Sequence, residues 1–345
     1  MNFAKRVLSQ ATLGYFITSL PILGEDRIIA APEGEGPTQV FASPSFEPQV
    51  LATGPGGCMG FAMLPERDDA LFTITRFYPI FKSENAGIDL FQAQQGLDTP
   101  WVGKRVIDLP FVHRICVLGD GNRQWLVAAS VCGGKAFQED WSKSGAVYCT
   151  PVSKELNGPW GLEPILEGIH QNHGMQVSTY AGKNCVTIAG TEGVFALQVP
   201  EPGTNEWNTI QLLDHAVSEA KVADLDNDGD NEIAVIEPFH GNAMSVYKRV
   251  QADWQKVYSA ELAFGHGLWA GTLAGEQVVI VGNRSGTKNL VCFRVVSTDP
   301  FDMEELVVDA ASGTTNVDVI HTAQGECLIA SNPEHGEYAL YRVQA

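Results

Sequence analysis

Basic side chains are scarce in this 345-residue chain: 22 lysines and arginines stand against 41 aspartates and glutamates, a net charge of −19. That balance excludes an extended nucleic-acid footprint, which needs clustered cations to neutralise phosphates. Anionic membrane surfaces are disfavoured for the same reason. No C-x-x-C pair occurs. The seven cysteines, Cys58, Cys116, Cys132, Cys149, Cys185, Cys292 and Cys327, are widely spread and odd in number, which argues against a disulfide framework or a thiolate zinc site. Most fall inside apolar runs such as CVTIAG and LVCFRV, where a reduced cysteine behaves as a small hydrophobe. Long apolar stretches are missing too. The segment from Val7 to Leu23, behind Lys5 and Arg6, is broken by Ser9, Gln10, Thr12, Thr18, Ser19 and Pro21, so it makes neither a signal-peptide core nor a membrane span of ~20 residues. These absences point to a soluble, cytoplasmic protein. No G-x-G-x-x-G opening a helix, Walker loop, serine elbow or cysteine-nucleophile motif is present, so neither nucleotide cofactors nor acyl transfer are indicated.

What is abundant is turn chemistry. Glycine at 35 and proline at 18 suit many short strands separated by turns. One pattern recurs: a strand, a turn, an apolar strand, a Gly- or Pro-containing loop, and a strand ending in aliphatic or aromatic residues. It is clearest in HGMQVSTYAGKNCVTIAGTEGVFALQV from His173, SEAKVADLDNDGDNEIAVIEPFHGNAMSVYKR from Ser218, HGLWAGTLAGEQVVIVGNRSGTKNLVCFRV from His266 and TNVDVIHTAQGECLIASNPEHGEYALYRV from Thr315. The same template fits three upstream tracts, beginning LGYFITSL, MGFAML and VHRICVL. Seven copies of a four-stranded unit, with a period near the ~40–50 residues of propeller blades, predict an all-β, seven-bladed β-propeller occupying residues 1–345 as one domain. The last copy stops after its third strand, at Tyr341 to Val343. Ala4-Lys5-Arg6-Val7-Leu8 resembles the fourth strand of the second copy, Gly103-Lys104-Arg105-Val106-Ile107. An N-terminal strand over about residues 3–10 is therefore expected to complete the last blade and close the ring, removing an exposed edge.

The sharpest local motif is Asp224-x-Asp226-x-Asp228-Gly229-Asp230-x-Glu232. Alternating oxygen ligands, a glycine for the turn and a closing carboxylate are what hard cations require. Acids this close repel one another unless a cation neutralises them. The closing glutamate comes too early for an EF-hand, and strands flank the loop. This tract resembles the FG-GAP or VCBS repeats of integrin-type seven-bladed propellers, in which such a loop joins the first two strands of a blade on the bottom face. The resemblance implies a structural Ca²⁺ or Mg²⁺, with side-chain oxygens from Asp224, Asp226, Asp228 and Glu232 and a backbone carbonyl from Asp230. The equivalent turns of the third and fourth copies, Leu-Gly-Asp-Gly-Asn and Tyr-Ala-Gly-Lys-Asn, lack the full set.

Histidines mark the opposite face. His113, His173 and His266 each open the innermost strand of their copy, with Ser218 and Thr315 or Asn316 at matching places. Innermost strands line the central channel, so three imidazoles should point at one axis and could share a metal or a substrate. A second set follows the second strand of each copy: Arg76 and Tyr78, Lys135, Glu192, Glu237 with His240, Asn283 with Arg284, and Asn332 with His335. In an antiparallel meander that loop lies on the same face as the start of strand one. His170 sits at the rim by this phase. His215 and His321 fall outside it and read as structural, and Trp125 and Trp269 as packing residues.

Imidazoles with a carboxylate suit proton transfer and metal-assisted polarisation. The tracts PFVHRI, WLVAASV, GIHQNHGM, IEPFHG, FGHGLWAG and NPEHGEYALYR resemble the propeller portion of the aldos-2-ulose dehydratase (1,5-anhydro-D-fructose dehydratase) family and its bacterial relatives, from about Val112 to Arg342. The resemblance implies a small keto-sugar substrate, elimination of water and a divalent metal such as zinc near the channel histidines. The fungal members carry additional cupin domains that have no counterpart here, so isomerisation assigned to those domains is not implied. The expectation is a carbon–oxygen lyase. In it His113, His173 and His266 hold a metal or the substrate oxygen, and Glu237 or His240 exchanges protons. Arg76, Tyr78, Lys135, Glu192, Asn283, Arg284, Asn332 and His335 are left to bind substrate. Isomerase chemistry on the same substrate, or a non-catalytic propeller binding a glycan or protein partner, are the alternatives; a homodimer is left open.

Overall fold

The computed structural model describes residues 1–344 and consists of seven four-stranded antiparallel sheets arranged as the blades of a ring, a seven-bladed β-propeller. Blade 1 is built from Gly14–Ile22, Glu25–Pro32, Thr38–Ala42 and Pro48–Ala52; blade 2 from Phe61–Ala62, Ala70–Thr75, Gly87–Gln92 and Val102–Asp108. Blade 3 comprises Val112–Gly119, Gln124–Ser130, Gly145–Val152 and Glu163–Ile169; blade 4 comprises Gly174–Tyr180, Lys183–Gly190, Gly193–Gln198 and Asn208–Leu213. Glu219–Ala223, Glu232–Glu237, Ala243–Val250 and Asp253–Glu261 form blade 5, and Gly265–Leu273, Glu276–Asn283, Leu290–Thr298 and Phe301–Asp309 form blade 6. Blade 7 takes three strands from the C-terminal end, Asn316–Thr322, Gly325–Asn332 and Glu337–Gln344. Its fourth is the N-terminal strand Asn2–Gln10.

The sequence explains the layering. Second strands are sandwiched between neighbouring blades on both faces, so they read as unbroken apolar runs rather than alternating ones. IAVI of Glu232–Glu237 and VVIV of Glu276–Asn283 are wholly buried. Fourth strands face solvent, as the charged, exposed face of Glu163–Ile169 shows. The apolar clusters lie between blades: Ala234, Ile236 and Met244 of blade 5 pack on Leu268, Val279 and Val281 of blade 6. Six of the seven cysteines are buried in this packing as free thiols, and Cys116 is half-buried.

Ring closure is the expected one. Asn2 pairs with Gln344, Lys5 with Tyr341 and Gln10 with Glu337, with a bulge between Val7 and Ser9. Lys5 does more than pair backbone. Its Nζ lies 2.7 Å from Asp309 Oδ2 at the end of blade 6, 2.5 Å from Glu337 Oε1 of blade 7 and 3.2 Å from His335 Nδ1. One ammonium thus ties the N-terminal strand to two blades.

Candidate functional site

Three innermost strands begin with an irregularity that aims one side chain into the channel. In blade 1 the register slips between Gly14 and Phe16, in blade 3 between Val112 and Arg114, and in blade 6 between Gly265 and Leu268. A bulge of this kind re-aims the extra residue, and the residues concerned are Tyr15, His113 and His266. His173, just ahead of Gly174–Tyr180, joins them with its N–H bonded to Ala189 O at 3.1 Å. His240 arrives from the loop after the second strand of blade 5. It adopts a left-handed φ of 46°, as does Phe264 at 57°, conformations that cost about 1–3 kcal/mol for such residues and cluster at functional sites. A Cβ on Gly241 would lie 2.3 Å from the Glu237 carbonyl carbon and oxygen, so only glycine lets this loop fold back over the strand end.

The result is a cavity of about 360 Å³ lined by the four histidines, Tyr15, Glu33, Lys135 and Arg284, under a collar that includes Phe77, Trp141, Phe239 and Phe264. His173 stands with ring centroids 4.5 Å from His113, 5.0 Å from His240 and 5.1 Å from His266, and His240 lies 5.0 Å from His266. The floor is an ion pair. Arg114 Nη2 bonds Glu219 Oε1 at 2.9 Å, and the same Oε1 is 2.6 Å from His173 Nδ1.

These partners fix the tautomers. His266 Nδ1 donates to Thr315 O at 2.6 Å, and the Glu219 carboxylate oxygen 2.6 Å from His173 Nδ1, a charge contact without hydrogen-bond alignment, favours the proton on that nitrogen. Both residues therefore turn an Nε2 lone pair into the cavity. Arg114 Nη1, which can only donate, sits 3.0 Å from His113 Nδ1, so the His113 proton is on Nε2, 3.5 Å from the Tyr15 hydroxyl. That hydroxyl is 3.4 Å from His266 Nε2. Burial pushes all four imidazoles toward the neutral form, reinforced for His113 by Arg114 and the neighbouring rings. His173 is lowered by burial against the opposing pull of Glu219, and His240 falls to about 2, chiefly through burial. Glu219 goes to about 2 despite burial, because Arg114 and His173 stabilise its charge. Tyr15 rises to about 12 through burial.

The metal-shaped set is consequently His173, His240 and His266, whose ligand nitrogens lie within 4.8 Å of one another. The triad expected from the sequence substituted His113 for His240; His113 is adjacent, but its Nε2 carries the proton. His173 Nε2 and His240 Nε2 are 3.5 Å apart, close to the ~3.4 Å that two imidazoles on one tetrahedral zinc would show. His173 and His266, neutral imidazoles whose other nitrogen faces a carboxylate and a carbonyl, have the arrangement metal ligands adopt, and with His240 Nε2 beside them the residues fit the group.

Two other clusters among the described residues have similar spacing: Asp309, His335 and Glu337, and Asp224, Asp226 and Glu232. Each already contains a lysine ammonium. Lys5 serves the first. In the second, Lys248 Nζ bonds Asp226 and lies 2.6 Å from Asp228 Oδ2 and 3.9 Å from Glu232 Oε1. The acidic loop does join the first two strands of blade 5, and the Lys248 ammonium offsets part of its charge. Asp224 Oδ1 and Glu232 Oε1 remain buried without a hydrogen-bond partner. Burial pushes the Glu232 carboxyl up to about 7. The oxygen set fits a hard divalent ion that displaces Lys248.

Of the residues expected to bind substrate, Lys135 and Arg284 line the cavity. Lys135 is engaged, donating to Gln138 O and Asp140 O at 2.8 and 3.1 Å and lying 3.2 Å above the Trp141 ring. The others do not line it, and all but Tyr78 have a structural employment. Glu237 is held by His215 at 2.7 Å, Ser245, Tyr247 and Lys256. Arg76 pairs with Asp89, and Tyr78 is exposed. Glu192 holds His170 at 2.7 Å. Asn283 accepts from Ala263 N, Asn332 accepts from Thr314 and donates to Tyr341, and His335 belongs to the Lys5 cluster. Sequence reasoning passed over Tyr15, Glu33 and Glu219. Tyr15 and Glu33 have signals: Tyr15 is the blade 1 counterpart of the bulged histidines, and Glu33, in APEGEG, follows a second strand as EPFHG and NPEHGE do.

No family model and no curated protein matches the chain. Solved structures do. The β-propeller domain of Cps50 (Swd1) from Myceliophteria thermophila aligns at 11% identity with a TM-score of 0.63, covering 99% of this chain and 100% of that one. BBS1N in complex with ARL6DN aligns at 14% identity with a TM-score of 0.58, covering 99% and 95%. A PQQ-bound aldose sugar dehydrogenase from Streptomyces coelicolor gives 13% identity and a TM-score of 0.49 over 99% and 98%. At these identities the likeness concerns the fold alone.

Proposed function

We propose that the chain is a metal-dependent carbon–oxygen lyase that eliminates water from a keto-sugar or anhydro-keto-sugar in the top-face cavity. The observation that carries the reading is the convergence of three neutral Nε2 groups, from His173, His240 and His266, in a cavity large enough for one small ring. A divalent metal such as zinc, when bound there, would supply a Lewis acid for the carbonyl oxygen. This chain's own groups do the rest. The Tyr15 hydroxyl and the Arg284 guanidinium donate to substrate oxygens, and the collar of Phe77, Phe239 and Phe264 stacks on the C–H face of the ring and keeps water out. The resemblance of the histidine-bearing tracts to the aldos-2-ulose dehydratase propeller supports the substrate class. The FG-GAP-like loop is assigned a structural role in this reading, taking Ca²⁺ or Mg²⁺ in exchange for Lys248.

Elemental analysis of purified protein, with an ultraviolet assay for the enone formed from 1,5-anhydro-D-fructose or a 3-keto-sugar, tests the reading. The expected result is a transition metal near one equivalent and enone formation, both lost in a His173→Ala variant that still folds to the same β-structure. A metal-free protein that binds these sugars without forming enone would instead make it a binding module.

A further inference from the structure

The expected acid–base groups, Glu237 and His240, are both committed elsewhere: Glu237 to its cluster outside the cavity, His240 to the metal-shaped set. The nitrogens of the remaining imidazoles are also engaged, His113 between Arg114 and Tyr15, His173 Nδ1 against Glu219, and His266 Nδ1 on Thr315 O. Proton transfer in the cavity needs another group. Two carboxylates line it: Glu139, which is exposed at the mouth, and Glu33, which is half-buried.

We propose that Glu33 is the acid–base residue of this site, a proposal that rests on the lyase reading above. Its backbone N–H bonds Leu13 O at 2.8 Å, which clamps the end of the second strand of blade 1 beside the segment that delivers Tyr15. Its carboxylate has no hydrogen-bond or ion-pair partner among the described residues, and neither does the Arg284 guanidinium that lines the same cavity. Opposite charges that share a cavity without meeting leave room for a ligand that donates to one and accepts from the other, as a hydroxy-ketone does. Burial raises the Glu33 carboxyl against the pull of Arg284, the direction that makes a carboxylate a stronger base.

The step balances without an oxidant or reductant. Glu33 takes the proton from the carbon beside the carbonyl, and the C–H electron pair becomes the carbon–carbon double bond of an enolate whose oxygen faces Tyr15 and Arg284. The enolate re-forms the carbonyl and expels the β-hydroxyl. That C–O bond breaks as the new C=C forms, and the Glu33 proton leaves with the hydroxyl as water.

The test follows solvent-deuterium exchange at the carbon beside the carbonyl of 1,5-anhydro-D-fructose by NMR, together with enone formation, in metal-loaded wild type, Glu33→Gln, Glu33→Ala and, as a same-loop control, Glu35→Gln. Glu33→Gln should lose about 10²–10⁴-fold in both rates while keeping its metal content and melting temperature. Formate should restore part of the Glu33→Ala rate, which no structural role would produce, and the low-pH limb of the wild-type profile should vanish in Glu33→Gln. Glu35→Gln should match wild type. If Glu33→Gln and Glu33→Ala exchange and eliminate within threefold of an active wild type, Glu33 is not the base and the lyase reading stands. Should the Gln variant fail to fold, an absence of formate rescue in a folded Glu33→Ala overturns the proposal equally. If wild type itself does neither reaction, the lyase reading fails and Glu33 loses its role with it.

Discussion

The two faces of blade 5 hold opposite solutions to the same electrostatic problem. On the bottom, Asp224, Asp226, Asp228 and Glu232 come from nine consecutive positions, and the last three gather around the Lys248 ammonium. On top, His240 meets His173 and His266 from neighbouring blades, and Arg114, a cation at the floor, is matched by Glu219. Carboxylates keep their charge, so they must be neutralised at once by whatever cation the fold can reach. Imidazoles escape the same penalty by staying neutral, which leaves their lone pairs available. A cluster that looks like a metal site is therefore most informative when no side chain has already filled it, and among the described residues that is the histidine set.

The contrast breaks most sharply at His240. Replacing it with alanine removes one of three converging ligands, and zinc affinity measured by chelator competition should fall roughly 100-fold or more, since even changes behind the ligands cost about 10–100-fold. His113→Ala should leave that affinity close to wild type, because its Nε2 bears a proton and faces Tyr15. Equal losses in both variants would return His113 to the ligand set and undo the assignment made from its tautomer.

Lys248 gives the next largest effect. Lys248→Met leaves Asp226, whose side chain is 3% exposed, beside Asp228 and Glu232 without their ammonium. The cost should be about 2 kcal/mol by chemical denaturation, between the value of an exposed pair and that of a fully buried one. Calcium should recover more stability in this variant than in wild type, because no side chain has to leave first. A variant as stable as wild type in chelator, and indifferent to calcium, would mean that the loop needs no cation at all.

The sequence carried the architecture because a propeller repeats it seven times: strand phase, the doubly buried second strands and the missing fourth strand of blade 7 are all periodic signals. It carried the acidic loop because its acids all fall within nine residues of chain. The cavity was legible only in part. Phase alone found His113, His173, His266 and His240, but a shared phase places Glu192, Asn283 and Asn332 on the same face without saying which way each side chain turns. Asn283 is spent on Ala263 N and Asn332 on Thr314 and Tyr341, contacts between distant segments that no local pattern records. Tyr15 and Glu33 obeyed the phase and were overlooked because tyrosine and a glutamate after proline draw less notice than histidine. Glu219 stands one position beyond Ser218, the residue aligned with the histidines, and its role exists only through Arg114 of a blade two places away and His173 of the blade between.

Lys183 offers the finest test of how special the blade 5 loop is. It occupies the equivalent turn of blade 4, Tyr-Ala-Gly-Lys-Asn, and its ammonium also reaches a carboxylate, Glu201. Both partners are more than half exposed, at 52% and 61%, so water screens the pair and competes for it, and each side chain loses rotamer freedom to make it. Lys183→Ala should therefore shift stability by less than about 0.5 kcal/mol, with the same calcium response as wild type. Lys183, on the turn itself, would then differ severalfold in effect from Lys248, which reaches the equivalent turn from the third strand, because blade 5 sets two buried carboxylates and one exposed one around its lysine and blade 4 offers one acid to solvent. A loss at Lys183 as large as that at Lys248 would show instead that every such turn staples its blade, and that the acid-rich loop is an elaboration of a common device.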